Sequence, residues 1–404
     1  MERGVVVVGA SLAGVRAVET LRTEGFEGPV TLIGAEDHLP YDRPPLSKKV
    51  LSGEWEPDRI ALRRDGGLDA LGVDARLGVR AVGLDLGHRQ VRIGDGSVAA
   101  YDALVLATGS DVRRLPGQPE LEGLHVLRTL DDSLALRAAL TQGSPRVVVV
   151  GAGFIGSEVA ATAHGLGCAV TVVEALPVPL VRALGAEMGE ACATLHRDHG
   201  VDLRLGVGVE GFDGRDRVEA VRLTDGSMVP ADVVIVGVGV APATGWLEGS
   251  GLELRDGVVC NASLAAGPPG VYAAGDICRW PNLLFDEEMR VEHWTNAAEQ
   301  GAHAARTIVG VAAGEPPVPY APVPFFWSDQ YGLKLQFLGR AGSEDEVRVV
   351  HGSPDEHGFV ALYGRAGRLR GVFGMAKPKL VMAYQRLLAQ RVTWDDALVH
   401  AATA

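Results

Sequence analysis

The chain carries a dinucleotide-binding fingerprint twice, each time directly after a run of four valines. The first copy is Val5-Val6-Val7-Val8 followed by Gly9-Ala10-Ser11-Leu12-Ala13-Gly14. The second is Val147-Val148-Val149-Val150 followed by Gly151-Ala152-Gly153-Phe154-Ile155-Gly156. A short apolar run closed by glycine reads as a buried strand of a parallel sheet, and each hexapeptide leads into a helix-like run. In such a loop the first glycine allows the tight turn, the second lets backbone approach a pyrophosphate, and the third lets helix and strand pack closely. The helix N-terminus then offers unpaired N–H groups to the anion. In the first copy Ser11, still small, replaces the second glycine. One copy alone is weak evidence. Two copies indicate a protein that holds two dinucleotides at once and passes electrons between them.

An acid near the end of the following strand is the next requirement, because it accepts bonds from ribose hydroxyls. Glu36, with Asp37 beside it, lies 22 residues beyond Gly14. Glu174 lies 18 residues beyond Gly156 and directly follows Thr171-Val172-Val173. Either acid alone would read as a solvated strand-end carboxylate; with the glycines, both are expected to bind ribose. A carboxylate at 174 also repels a 2′-phosphate. Ala175, Leu176 and Pro177 follow it, and the first basic residue is Arg182, so NADH is expected over NADPH.

The pattern along the chain is that of two βαβ units. Val5–Val8, 15–23 and Val30–Ile33 read as strand, helix and strand. Residues 38–53 form a loop rich in Pro, Asp, Arg and Lys. A strand at 101–109 ends in the turn Ala107-Thr108-Gly109, and 111–118 reads as a crossing linker. The second round has a strand at 147–150, a helix at 155–166, a strand at 169–173, and a strand at 232–236 before the turn Gly237-Val238-Gly239. A short strand at 271–276 ends on Gly275-Asp276, 292–308 reads as helix, and 315–324 is proline-rich. The tail, 325–404, alternates apolar and polar residues in short runs and reads as a separate α+β unit.

Bulk properties remove several function classes. A chain of 404 residues has room for two or three domains. Apolar content of 47% with 22% charged residues is ordinary for a soluble enzyme. A net charge of −13 argues against a nucleic-acid binder. Cys168, Cys192, Cys260 and Cys278 are scattered with no C-x-x-C pair, so neither a disulfide framework nor a zinc or iron–sulfur site is indicated, and reduced thiols in a cytosolic protein are expected. His196, His199, His293 and His303 show no ligand spacing; no metal is expected. The longest apolar candidate, 233–243, is too short to cross a membrane. The basic-then-apolar start at 3–13 imitates a signal peptide, but its apolar stretch is short and its glycines fit the phosphate turn better.

Several segments then occur in one order: the first fingerprint, Tyr41-Asp42-Arg43-Pro44-Pro45-Leu46-Ser47-Lys48, Ala107-Thr108-Gly109, the second fingerprint, Ala274-Gly275-Asp276, and Phe326-Trp327-Ser328-Asp329-Gln330. Together they resemble the FAD-dependent NADH:ferredoxin reductases of bacterial oxygenase systems, the putidaredoxin reductase and biphenyl dioxygenase reductase type. The resemblance spans nearly the whole chain. The glycine motifs are common to many flavoproteins; the segments around Lys48 and Trp327 are much more specific.

This resemblance implies two Rossmann-like dinucleotide-binding domains of the glutathione-reductase kind plus a C-terminal α+β domain. Residues 1–112 and 242–320 would form a discontinuous FAD domain, 113–241 an inserted NADH domain, and 321–404 a C-terminal reductase domain. Lys48 would lie beside the isoalloxazine ring, with Arg43 in the same cofactor segment. Glu158 would lie near the nicotinamide and that lysine, and Trp327 near the flavin. Asp276 would contact the ribityl and phosphate region, and Trp294 and Arg128 would touch FAD. With the residues of the two fingerprints, Ala107, Thr108, Gly109, Gly239 and Gly275 complete the expected cofactor contacts. The chain departs from the family pattern at Ala35, where close relatives carry the ribose acid one residue before Glu36, and at 371–378, which bears on the partner surface.

The implied activity is hydride uptake from NADH by FAD and release of single electrons to a [2Fe–2S] ferredoxin that serves a haem monooxygenase or Rieske dioxygenase. A bound flavin supplies that chemistry while the protein sets distance and electrostatics. The ordinary readings are a surface lysine for Lys48, a first-turn helix acid for Glu158, and a core aromatic for Trp327. A disulfide reductase, peroxidase or water-forming oxidase would want cysteine in 38–53, and none is there. An NADH:quinone reductase would want an amphipathic C-terminal anchor, and 387–404 is not strongly basic. A redox-sensing interaction protein of the same fold is the remaining alternative. Candidate docking clusters for an acidic ferredoxin are Arg59, Arg63 and Arg64, and Arg365, Arg368 and Arg370.

Overall fold

The computed structural model describes residues 4–63 and 67–403. The chain packs as two compact units, one of Met1–Asp42, Ile60–Asp111 and Ala241–Pro324, the other of Arg43–Arg59, Val112–Val240 and Phe325–Ala404.

In the first unit a five-stranded parallel sheet runs in the order Val271–Ala273, Ala103–Leu106, Val5–Val8, Val30–Ile33, Asp74–Arg76. Every residue of Val5–Val8 is buried, as a strand covered on both faces must be. The helix after it is Leu12–Thr23, starting three residues earlier than the sequence pattern suggests, because Leu12, Ala13 and Gly14 already belong to its first turn. It packs beside the long helix Trp294–Ala312. Gly301 allows this closeness: a Cβ there would collide with the Ala13 carbonyl.

The second unit repeats the plan. Its parallel sheet runs Asp202–Leu205, Ala169–Glu174, Arg146–Val150, Val233–Val236, Leu124–His125. The fingerprint helix is Phe154–Gly165. The tail forms an antiparallel sheet in the order Phe325–Gln330, Leu333–Gly339, Arg368–Met375, Gly358–Arg365, Glu346–Ser353, followed by three short helices, which makes it α+β. Phe337, Phe359 and Phe373 from this sheet share an apolar core with Leu184, Met188 and Leu195 of the helix Val181–Asp198.

The duplication extends beyond the fingerprints. The first unit carries a three-stranded meander of Ala81–Asp85, Gln90–Ile93 and Val98–Ala100; the second carries Val209–Asp213, Ala220–Leu223 and Met228–Pro230. Their last hairpins turn at Asp95-Gly96-Ser97 and Asp225-Gly226-Ser227, each with the aspartate accepting the serine N–H. Asp-Gly between apolar runs is a strong hairpin signal, and these two repeated sites are easily passed over beside the glycine loops.

Candidate functional site

The two phosphate loops are built alike. Gly9 has φ +117° and Gly151 φ +97°, backbone that side chains resist, and a Cβ on Gly14 or Gly156 would strike the carbonyl of Gly9 or Gly151. The middle position makes no such demand. Gly153 has φ −75° with open space about its Cβ direction, and Ser11 sits at φ −107°, so serine fits the first loop without strain. Neither fingerprint helix has a side-chain cap or an acid in its first turn. The Leu130–Leu140 helix, by contrast, closes its own end with the Thr129–Asp132 capping box. Uncapped first-turn N–H groups suit an anion.

The residues around the first loop also fit a dinucleotide. The turn Ala107-Thr108-Gly109 is anchored by Thr108 Oγ1, which donates to the Ala243 carbonyl at 3.0 Å. Gly275 donates its N–H to Gln300 Oε1 at 2.8 Å and opens the single helical turn Gly275–Ile277, on which Asp276 is half-buried. Gln300 Nε2 and Asn296 Nδ2 are buried donors with no hydrogen-bond partner among the described residues. Trp294 Nε1 donates to Asp42 Oδ1 at 2.6 Å. Glu36 accepts the Tyr41 hydroxyl.

The two acids are not equivalent. Gly9 N–H bonds the Ile33 carbonyl and Gly151 N–H bonds the Val173 carbonyl, so Glu174 matches Gly34, and Glu36 lies two residues further on. Glu174 instead turns back on its own loop, accepting the Ala152 N–H at 2.7 Å and the Leu176 N–H at 2.8 Å. Carboxylate oxygens keep lone pairs for further donors. Gly239, at φ +101°, accepts the Arg113 N–H at 2.9 Å.

Lys48 and Glu158, distant in sequence, meet in the second unit. Lys48 Nζ lies 2.8 Å from Glu158 Oε2, with side chains 16% and 4% exposed. Glu158 lies beyond the first helical turn, so helix-end electrostatics are not its role. Its carboxylate accepts four donors: Ser47 Oγ at 2.5 Å and Lys48 on one oxygen, Ser328 Oγ at 2.8 Å and the Asp329 N–H at 3.4 Å on the other. One face of the Phe154–Gly165 helix organises this. Phe154 meets Phe326 edge-on at 4.6 Å, Glu158 meets Ser328, and Thr162 Oγ1 donates to the Ser47 carbonyl at 2.8 Å. The spacing is i, i+4, i+8 on the helix against i, i+2 on the strand. Trp327 falls on the other face of that strand, stacked with Phe325 at 6.0 Å. Arg43 Nη1 donates to the Arg128 carbonyl at 2.5 Å, and Arg128 N–H bonds Asp132. Ser47, Ser328 and Thr162 were missed by sequence reasoning, although Ser47 and Ser328 stand inside the two most specific segments.

The candidate docking arginines are engaged. Arg63 pairs with Glu19 at 2.6 Å, Arg365 with the fully buried Asp345 carboxylate at 2.6 Å, and Arg59 lies over Trp55 at 4.4 Å. Arg64 lies outside the described residues.

Comparison with known proteins decides the family. Residues 3–301 match the pyridine nucleotide-disulphide oxidoreductase family and 325–403 the reductase C-terminal family. The chain belongs to the ferredoxin reductases of this family. It is 40% identical to the 5,5′-dehydrodivanillate O-demethylase ferredoxin reductase subunit of a Sphingobium species, over 90% of this chain and 88% of that one. It is 39% identical to the biphenyl dioxygenase system ferredoxin–NAD(+) reductase component of Paraburkholderia xenovorans, over 86% of this chain and 83% of that one. The crystal structure of the covalent putidaredoxin reductase–putidaredoxin complex superposes with TM-score 0.91 at 33% identity, covering 96% of this chain and 94% of that chain. Cys168, Cys192, Cys260 and Cys278 are all free and buried. Among the described residues no His, Cys, Asp and Glu cluster could hold a metal, and no helix is long and apolar enough to cross a membrane.

Proposed function

We propose that this reductase binds FAD at the first phosphate loop and NADH at the second, and delivers electrons singly to a [2Fe–2S] ferredoxin that serves an oxygenase in the cytoplasm. The observation that carries the reading is the pair of uncapped fingerprint helices, one in each unit. The ferredoxin partner is supported by relatives whose names place them with ferredoxins in demethylase and dioxygenase systems. The domain division that goes with it assigns 1–112 and 242–320 to FAD, 113–241 to NADH and 321–404 to the C-terminal domain.

When bound, FAD supplies the chemistry, accepting hydride and releasing electrons one at a time. The residues of this chain bind, orient and hold charge. Gly9, Ser11, Leu12, Ala13 and Gly14, with Gly275 and Asp276, would hold the FAD pyrophosphate and ribityl region, and Glu36, Ala107, Thr108, Gly109 and Trp294 of the same unit would complete that site. Gly151, Gly153, Phe154, Ile155, Gly156, Glu174 and Gly239 hold NADH. Lys48 would serve flavin reduction as a fixed cation, Glu158 would orient that cation, and Trp327 would serve the same step. A fixed positive charge favours the negative charge that develops on reduction.

Purified protein should be yellow with about one FAD per chain and should bleach on NADH addition. Correctly folded protein that neither contains nor takes up FAD would overturn the reading.

A further inference from the structure

Gln330 and Ser328 extend the Lys48–Glu158 pair into a buried chain. Gln330 Nε2 donates to Ser328 Oγ at 3.2 Å, and Ser328 Oγ donates to Glu158 Oε1 at 2.8 Å. Gln330 is 1% exposed and Ser328 fully buried. The direction of the chain is forced. A carboxylate paired with an ammonium can only accept, so the single serine proton goes to Glu158. The serine oxygen is then left as an acceptor, and only the amide nitrogen of Gln330 can face it. That orientation leaves Gln330 Oε1 buried without a partner among the described residues. A buried acceptor left unpaired is costly, so the arrangement favours the chain over local satisfaction.

We propose that Gln330 and Ser328 are positioning residues that lock the Glu158 carboxylate onto Lys48, through the buried relay Gln330–Ser328–Glu158–Lys48. This rests on the reading that Lys48 serves flavin reduction. Linked donors polarise one another, so each link strengthens the next. Ser47 secures the other carboxylate oxygen, and the Ser328 end of the relay stops rotation of the group about its side-chain axis. Lys48 then has one fixed partner and keeps its remaining N–H donors for the cofactor.

The test is a double-mutant cycle on FAD-loaded enzyme, read as the stopped-flow rate constant of flavin reduction at saturating NADH. Ser328→Ala should slow reduction by about tenfold with little change in NADH affinity, a loss of about 1.4 kcal/mol by the usual conversion. Ser328→Cys, which fills the space with a weak donor, should be nearly as slow as Ser328→Ala. Gln330→Met should slow it by about threefold. In a Lys48→Met background, none of these changes should slow reduction further. Wild-type rates in Ser328→Ala, recovery in Ser328→Cys, or full multiplication of effects with Lys48→Met would overturn the relay while leaving the Lys48 reading intact. A wild-type rate in Lys48→Met alone would overturn that reading, and the relay with it.

Discussion

Glu174 Oε2 accepts the Ala152 N–H at 2.7 Å, so the acid expected to bind ribose is also a tie on its own phosphate loop. Its other oxygen caps the Leu176 N–H, which holds the strand end in place. Removing the side chain therefore loosens the loop as well as the ribose contact. Charge-assisted bonds to backbone N–H groups are among the stronger ones in proteins.

NADH should be preferred over NADPH, because a carboxylate at 174 repels a 2′-phosphate and no basic residue lies between it and Arg182. Glu174→Gln with Ala175→Arg keeps a loop acceptor, removes the charge and adds a phosphate partner. The ratio of kcat/KM for NADH over NADPH should fall by at least tenfold, while Glu174→Ala should lower activity with both nucleotides. A wild type that favours NADPH would show the electrostatic argument wrong.

Lys48→Ala should slow flavin reduction more than it weakens NADH binding, because the ammonium acts on developing charge rather than on the nucleotide. It also leaves Glu158, 3% exposed, without its counter-charge. Breaking a buried pair from one side costs about 3 kcal/mol or more. Thermal stability of Lys48→Ala should therefore drop, and Lys48→Ala with Glu158→Gln should recover part of it without recovering the rate. Both are read by scanning fluorimetry and stopped-flow absorbance.

Gly301→Ala should cost more than a helix glycine normally would. In an exposed helix the change gains up to about 1 kcal/mol. Here the new methyl meets the Ala13 carbonyl on the fingerprint helix, and overpacking of this kind costs about 1–3 kcal/mol. The variant should melt lower and retain less FAD than wild type. Equal melting and flavin content would mean the two helices separate easily.

The sheets and phosphate loops were legible because four-valine strands and glycine hexapeptides are local signals. Val5–Val8 and Val30–Ile33 match the sequence reading, and the second strand pair differs only at its edges. What was not legible depends on three-dimensional register. That Glu36 and Glu174 are out of step follows from which carbonyl each loop glycine bonds, not from spacing. The partners of Glu158 come from positions 47, 48 and 328, and no periodicity links these. Ser47 and Ser328 could have been suspected, since both stand inside the two most specific segments and a buried serine hydroxyl needs a partner.

His196 should make the fold sensitive to mild acid. Burial, reinforced by the nearby His199, pushes its pKa down to about 4, and its Nδ1 lies 2.6 Å from the Tyr331 hydroxyl. The unfolded chain, near the ordinary value of 6.5, binds the proton first. Stability from the neutral ring is thus full above about pH 6.5 and is lost as pH falls through 4, by at most about 3 kcal/mol. His196→Gln stays neutral throughout. Its melting temperature should fall less than that of wild type between pH 7 and pH 5, and parallel curves would assign the acid loss elsewhere.

Ferredoxin docking should depend on salt, with the dependence confined to particular arginines. The chain carries a net charge of −13, so an acidic partner must find a local basic surface. The structure sorts the candidates. Arg365 is committed to Asp345, whose side chain is fully buried, so reversing it strands a carboxylate and should lower the melting temperature rather than report on docking. Arg63 is held by Glu19 and by the Gly67 carbonyl. Arg59 and Arg368 are exposed, although the first lies over Trp55 and the second reaches the Arg391 carbonyl at 2.8 Å. Arg59→Glu or Arg368→Glu should raise the KM for ferredoxin about threefold or more and leave NADH-to-ferricyanide activity unchanged. Raising ionic strength past about 0.1 M, where the screening length is roughly 10 Å, should slow ferredoxin reduction in wild type and less so in the effective variant. If salt lowers both activities equally and neither reversal separates the acceptors, docking does not run through these arginines.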